Sequence, residues 1–366
     1  MATRETTRNG ATASPNGTAT EDAQPIIDVR GLTKHFPVGG FVSKQVVHAL
    51  EDVSFSIPRG EVVALVGESG SGKSTTARLL ARLMPPTSGE IVYEGNDILK
   101  TEPRGAPLSY RSDVQMVFQD PFGSLNPVHP IRYHLERPLK IHKKTRGRRE
   151  LRERMHELLE TVGLQPPDEV AAKYPYQLSG GQRQRVAFAR ALAVEPRVML
   201  ADEPVSMLDV SIRIGILNLI DRLREEQGIS FLYITHDIAS ARYIADQTNV
   251  MYAGRMVEGA ESTELIAEPA HPYTKLLLSA VPNPHAGLRT EEAPRGEIPS
   301  LIDPPPGCPF EPRCPYAMDV CRREMPGISQ LGRGHWVRCH LYPEGEAATG
   351  MVGKLTNESV QVQARN

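Results

Sequence analysis

The octet Gly67-Glu68-Ser69-Gly70-Ser71-Gly72-Lys73-Ser74 constrains this chain more than any other stretch. It fits the pattern G-x-x-x-x-G-K-[ST]. Its glycines let backbone N–H groups turn inward around an anion, and a helix beginning near Lys73 adds its positive end. In such a loop Lys73 reaches the β- and γ-phosphates of a nucleotide, and the Ser74 hydroxyl ligates Mg2+. The apolar run Glu61–Val66 precedes the octet and a helix-like stretch, Ser74–Met84, follows it. A buried parallel strand feeding a helix is therefore predicted, and with it an α/β fold.

Such a loop needs a metal-holding acid at the end of another strand. Val198-Met199-Leu200-Ala201-Asp202-Glu203 supplies one. Asp202 is expected to hold Mg2+ through its water shell, and Glu203 to polarise the attacking water as general base. Leu178-Ser179-Gly180-Gly181-Gln182 precedes an alanine-rich helical run, Arg183–Ala193. Ser179 is a good N-cap. Gly180 and Gly181 leave that helix terminus open to phosphate, a second anion site in a chain with one P-loop. Strand candidates Val114–Phe118 and Ile229–Thr235 end beside Gln119 and His236, and Ile212–Glu226 is an amphipathic helix closed by Gly228.

The 366 residues suggest about two to three domains. Apolar residues make up 40% and charged residues 23%, as in globular proteins. A net charge of -2 argues against wrapping a polyanion. No run approaches ~18 apolar residues, so no membrane span is expected, and the start lacks an apolar signal region. Residues 1–24 are expected to be a disordered leader and 345–366 a loose tail. Ile26–Val29, Val46–Leu50 and Val53–Ile57 are predicted strands, interrupted by a loop at Gly39-Gly40. Residues 131–163 are predicted to be helical. The basic run from Lys140 to Arg154 is a solvated helix face and not a nucleic-acid site, since Glu150, Glu153, Glu157 and Glu160 accompany it and no aromatics interleave it. Beyond about 260 prolines multiply, suggesting an extended linker into a small module. There Cys308, Cys314, Cys321 and Cys339 stand together. Four soft ligands suit Zn2+ or an iron–sulfur cluster. The spacing lacks C-x2-C, while His335 and His340 keep zinc open.

The quintet 178–182 resembles the signature of ABC-type ATPases, where it closes over ATP held by a partner subunit. Gln119 resembles the Q-loop glutamine and His236 the switch histidine. Ser206-Met207-Leu208-Asp209 resembles the D-loop, although Met207 stands where the family has a small residue. Phe36 resembles the aromatic that stacks on adenine. The resemblance implies that Gly67, Glu68, Ser69, Gly70, Ser71, Gly72, Lys73, Ser74 and Thr75 hold ATP. It also implies that Ser74, Gln119 and Asp202 serve Mg2+. Glu203, His236, Gln119 and Lys73 would carry catalysis. Ser179, Gly180, Gly181, Gln182 and Asp209 would act across a dimer.

Three further stretches resemble the oligopeptide/dipeptide importer subfamily: Asp120–Pro127, His271-Pro272-Tyr273-Thr274, and Gly307–Pro315 with its paired cysteines. The resemblance covers about residues 26–340. It implies a P-loop NTPase cassette at 25–262, with a RecA-like core, an antiparallel β subdomain and a helical subdomain at about 120–185. A C-terminal region at 263–344 would carry a [4Fe-4S] cluster on Cys308, Cys314, Cys321 and Cys339, in preference to Zn2+. The implied protein is an ATP-hydrolysing subunit, peripheral on the cytoplasmic face of the membrane, that powers peptide import. Its implied partners are two permease subunits, a second ATPase (a heterodimer favoured over a homodimer) and a solute-binding protein. Oligosaccharide or nickel cargo remains open. A soluble ABC ATPase acting on DNA or ribosomes is disfavoured, because there is one cassette and no sustained heptad pattern. The C-terminal stretches disfavour an exporter.

Overall fold

The computed structural model describes residues 24–39, 45–103, 105–280 and 299–342. Residues 1–23 of the expected leader, the expected tail, and part of the Gly39-Gly40 loop lie outside the described residues. Strands β1 (Ile27–Val38) and β2 (Gln45–Ile57) form a long antiparallel ladder, β3 (Val62–Val66) enters the interior, and helix α1 (Lys73–Leu80) leaves it. With β4 (Ser88–Tyr93) and β5 (Asn96–Asp97), the ladder becomes an antiparallel sheet of order β2-β1-β4-β5. Helices α2 (Ile98–Thr101) and α3 (Leu108–Asp113) lead to β6 (Val114–Val117). A helical block follows: α4 (Pro121–Ser124), α5 (Ile131–Ile141), α6 (Arg148–Thr161), α7 (Pro167–Ala172) and α8 (Gly180–Leu192). The core then alternates through β7 (Val198–Asp202), α9 (Val210–Gln227), β8 (Ser230–Thr235), α10 (Ile238–Ile244), β9 (Gln247–Tyr252) and β10 (Arg255–Glu261). Helices α11 (Ser262–Ala267), α12 (Pro272–Ser279) and α13 (Asp319–Arg323) and strands β11 (Ser329–Gln330) and β12 (Trp336–Val337) complete the described chain.

The second sheet runs β11-β12-β10-β9-β3-β8-β7-β6. Its strands from β9 to β6 are parallel, while β10 and β12 are antiparallel. Every residue of β3, β7 and β8 is buried, which is why these strands are continuous apolar runs. The two faces of β3 serve different cores. Val62, Ala64 and Val66 pack with the helical block, whereas Val63 and Leu65 pack with Leu32, Leu50 and Ile91 of the antiparallel sheet. The period of two thus lets one strand join both layers. In open α/β sheets ligands gather beyond the carboxyl ends of the strands. Here those ends deliver Gly67, Gln119, Glu203 and His236.

Three local expectations change. The helical stretch 131–163 divides at 142–147, where Lys143 adopts a positive φ of 53° and Gly147 is extended at the start of α6. The proline-rich segment after 260 is not simply extended, because Pro272 occupies the first turn of α12, where its missing N–H costs nothing. The C-terminal region does not stand apart from the cassette. β12 pairs with β10 through Glu258↔Val337 and Gly259↔Trp336, and the His48 N–H donates to the Leu301 carbonyl at 2.8 Å.

Candidate nucleotide site

The loop 67–74 leaves β3 and enters α1 through Gly72, whose φ of 105° and close neighbours (Leu50 and Ala49) exclude a side chain. Gly67 is jammed against β9: an added Cβ would lie 2.2 Å from the Met251 carbonyl oxygen. Lys73 is 4% exposed. Its Nζ donates to the carbonyls of Gly67 (2.7 Å) and Glu68 (2.8 Å). Burial lowers its pKa, while the charges of Glu203, Asp202 and Glu68 oppose that shift. The ammonium is thus held at the loop, where phosphate oxygens can replace the carbonyls as acceptors.

Asp202 ends β7 and is buried. Burial raises its pKa, aided by the Glu203 charge, while the Ser74 hydroxyl, donating to Oδ1 at 2.8 Å, opposes the shift. This pair of hard oxygens suits Mg2+, which takes few protein ligands and keeps several waters. Glu203 has a φ of 45°, in the left-handed region, and its N–H donates to the Ile234 carbonyl at 2.9 Å. That conformation costs about 1–2 kcal/mol and aims the carboxylate at the open end of the sheet. There Glu203 Oε2 accepts from Gln119 Nε2 at 3.0 Å and meets His236 Nδ1 at 3.3 Å.

Glu68, Ser69, Gly70, Gly72, Lys73, Ser74, Thr75, Gln119, Glu203 and His236 line one cavity of about 620 Å3. That volume accommodates a nucleotide-sized ligand. Ala49, Leu277, Ala280 and Leu301 complete its wall, and nothing in their local sequence marks them for it. Gly67 and Ser71 belong to the same loop but do not line the cavity. Phe36 lies outside its wall on β1, with the Lys34 ammonium 4.9 Å from its ring centre.

The second group stands apart from this cavity. Ser179 caps α8: its hydroxyl accepts from the Gln182 N–H at 3.2 Å, and the Gln182 side chain accepts from the Ser179 N–H at 3.0 Å. Gly181 leaves no room for a Cβ, which would lie 2.4 Å from Ile212 Cγ2. Asp209 is the N-cap residue of α9, but its side chain makes no capping hydrogen bond. Around it, Met207, Val210 and Ile214 expose large apolar side chains. This is the composition expected of a surface that another subunit covers.

The cysteines require a correction. All four line a cavity of only about 20 Å3, room for about one water and not for a cube of iron and sulfide. Burial pushes the Cys308 thiol up to about 12 and the Cys339 thiol to about 11, and neighbouring cysteines add to both shifts. The histidines that kept zinc open are engaged elsewhere. Both ring nitrogens of His335 face carboxylates, Glu258 at 2.9 Å and Glu264 at 3.2 Å, and His340 Nε2 meets the Glu324 carbonyl at 3.0 Å. The family models matched below are described as transporter families, and neither description names an iron–sulfur cluster. The [4Fe-4S] assignment on Cys308, Cys314, Cys321 and Cys339 is therefore withdrawn.

Among the described residues, no helix is long and apolar enough to cross a membrane. Residues 50–206 match the family described as ABC transporter, and residues 257–321 match the oligopeptide/dipeptide transporter C-terminal region. The chain is 43% identical over 325 residues to the oligopeptide transport ATP-binding protein AppF of Bacillus subtilis, covering 87% of this chain and 98% of that protein. It is 45% identical to the dipeptide transport ATP-binding protein DppF of Haemophilus influenzae, covering 86% of this chain and 96% of that one. Among solved structures it resembles the ATP-binding cassette MJ0796, a dimer in a post-hydrolysis state bound to ADP and Pi. The TM-score is 0.56 at 32% identity, over 64% of this chain and 98% of that chain. It also resembles cbiO1 of Clostridium perfringens, part of the ABC transporter complex cbiONQ (TM-score 0.57, 29% identity, 67% of this chain and 91% of that chain).

Proposed function

Because this chain belongs to the ABC transporter ATP-binding family, in its oligopeptide/dipeptide branch, we propose that it is the ATPase subunit of a peptide importer. The observation that carries this reading is the convergence of Gln119, Glu203 and His236 on a cavity walled by Lys73 and Ser74. These are the groups that phosphoryl transfer to water requires, arranged around one space.

Lys73 and the loop N–H groups bind the phosphates. Ser74 and Asp202 would hold Mg2+, which would supply neutralisation of phosphate charge. Glu203 Oε2 accepts the proton of the attacking water, and Gln119 and His236 fix that oxygen. Catalysis by this site is mainly positioning and charge stabilisation. The Ser179 loop of a second cassette closes over the nucleotide, and the apolar patch of Met207, Val210 and Ile214 lies in the same joint. The separation of Ser179–Gln182 from the cavity within one chain supports this head-to-tail arrangement. A homologous ATPase is the favoured second subunit. Closure pulls on two permeases near Gln119 and Asp120–Pro127, the chain sits peripherally on the cytoplasmic face of the membrane, and a solute-binding protein supplies peptide.

The test is affinity purification from membranes of the native host, followed by mass spectrometry. Two permeases, a second ATPase and a solute-binding protein are expected. Recovery of ribosomes or DNA-processing proteins without a permease would sink the importer reading.

A further inference from the structure

The C-terminal region reaches the nucleotide site through one side chain. Arg313 lies in the short turn Glu311–Arg313, between Cys308 and Cys314. Its Nη1 donates to Glu68 Oε2 at 2.7 Å and its Nη2 to Glu68 Oε1 at 2.8 Å. The two bonds form a bidentate fork between residues 245 positions apart. The Arg313 side chain is only 7% exposed. Its guanidinium also donates to Tyr252 Oη at 3.3 Å and lies 5.7 Å and 5.8 Å from the ring centres of Tyr252 and Phe310.

Glu68 is the second residue of the phosphate-binding loop, and its backbone is held as well. Its N–H donates to Tyr273 Oη at 2.8 Å, from α12. Tyr252, Tyr273 and Phe310 pack against one another with ring centres 4.6–5.5 Å apart. The first half of the loop is thus gripped from outside the 67–74 segment, by a side chain bond, a backbone bond and an aromatic box. A surface ion pair would contribute little. This one has a buried guanidinium and a partly buried carboxylate, is forked and boxed by aromatics, and is attached to a loop whose carbonyls also hold the Lys73 ammonium.

We propose that Arg313 is a positioning residue for nucleotide binding: through Glu68 it fixes the phosphate-binding loop in its receptive conformation, so that the C-terminal region takes part in holding ATP. This rests on the reading of the cavity as an ATP site. It assigns the C-terminal region a role in the motor itself.

Arg313→Met, Glu68→Ala and the double variant separate this role from mere bracing. The readouts are the Kd of a fluorescent ATP analogue with Mg2+, the KM and kcat of ATP hydrolysis, and the melting temperature. Arg313→Met is expected to weaken analogue binding and raise KM by about tenfold, with a smaller change in kcat and partial recovery in Arg313→Lys. Glu68→Ala is the sharper test, and it serves alone should Arg313→Met fail to fold. Removing a carboxylate beside phosphates should tighten binding on charge alone, so weaker binding must come from lost loop geometry. The double variant should be no worse than either single one, because both break the same link. Unchanged or tighter analogue binding in folded Glu68→Ala or Arg313→Met overturns the proposal, even if the melting temperature falls. A wild-type chain that binds no analogue would instead overturn the ATP-site reading itself.

Discussion

Glu203→Gln is the substitution on which the hydrolytic account rests. The replacement is isosteric at a side chain only 13% exposed. Its amide oxygen can still accept from Gln119 Nε2, now 3.0 Å from Glu203 Oε2, and the contact with His236, now 3.3 Å, can persist. The positive φ of 45° is a backbone property and is unaffected. Stability should therefore stay within about 0.5 kcal/mol, or roughly 2 °C in melting temperature. What is lost is a proton acceptor. General-base catalysis contributes about 10²- to 10⁴-fold, which is roughly 2.7–5.4 kcal/mol on the barrier. The kcat should fall by that factor. Binding should not weaken, because one negative charge leaves the pocket while Lys73 keeps Asp202 and Glu68 as compensating charges. The variant should retain ATP and accumulate as a closed dimer. Phosphate release measures the first effect, and size-exclusion chromatography with labelled ATP and Mg2+ measures the second. Hydrolysis within about threefold of wild type would remove Glu203 from the base role and refute this reasoning.

Other substitutions probe different parts of the account. His236→Ala removes a half-exposed ring that meets Glu203 in the site, so kcat should fall about 100-fold with the melting temperature unchanged. Gly181→Ala drives a Cβ to 2.4 Å from Ile212 Cγ2; such overpacking should cost about 1–3 kcal/mol, read by thermal denaturation, and Ile212→Ala in the same chain should recover most of it. The buried His335–Glu258 pair ties the β11–β12 hairpin to β10. Burial alone would lower the His335 pKa, but the Glu258 bond and charge, with Glu264, hold it above its ordinary value of 6.5. Stability from this pair should be complete below pH 6.5 and lost as pH climbs through the raised pKa. His335→Ala should cost about 3–5 kcal/mol at low pH and flatten that dependence; a melting temperature of the wild type that rises over the same interval would contradict the sign.

The parts of the site that sequence made legible are those whose chemistry is local. The loop 67–74, the strand end at Asp202-Glu203, Gln119 and His236 each follow a short apolar strand, and parallel strands bring their ends together. The reciprocal Ser179–Gln182 cap is likewise readable within five residues. Contacts between distant segments were not readable. Nothing near Glu68 announces Arg313, and nothing near Leu277 or Leu301 announces a place in the cavity wall. Strands β9 and β10 escaped notice because both are buried without alternation. β11 and β12 are two residues each, too short for any period. The cysteines show a limit of arguing from resemblance. Their clustering implied a common site, and the four do line one cavity, but that cavity is too small for the cluster that the resemblance implied.

The most direct test of the central claim is peptide uptake. Cells of the native host lacking this chain would be given wild type or Glu203→Gln, and the entry of labelled di- and oligopeptides followed. The account predicts that uptake is lost without the chain, restored by wild type and not restored by Glu203→Gln. Uptake that persists without the chain, or that the hydrolysis-deficient variant restores in full, would contradict it.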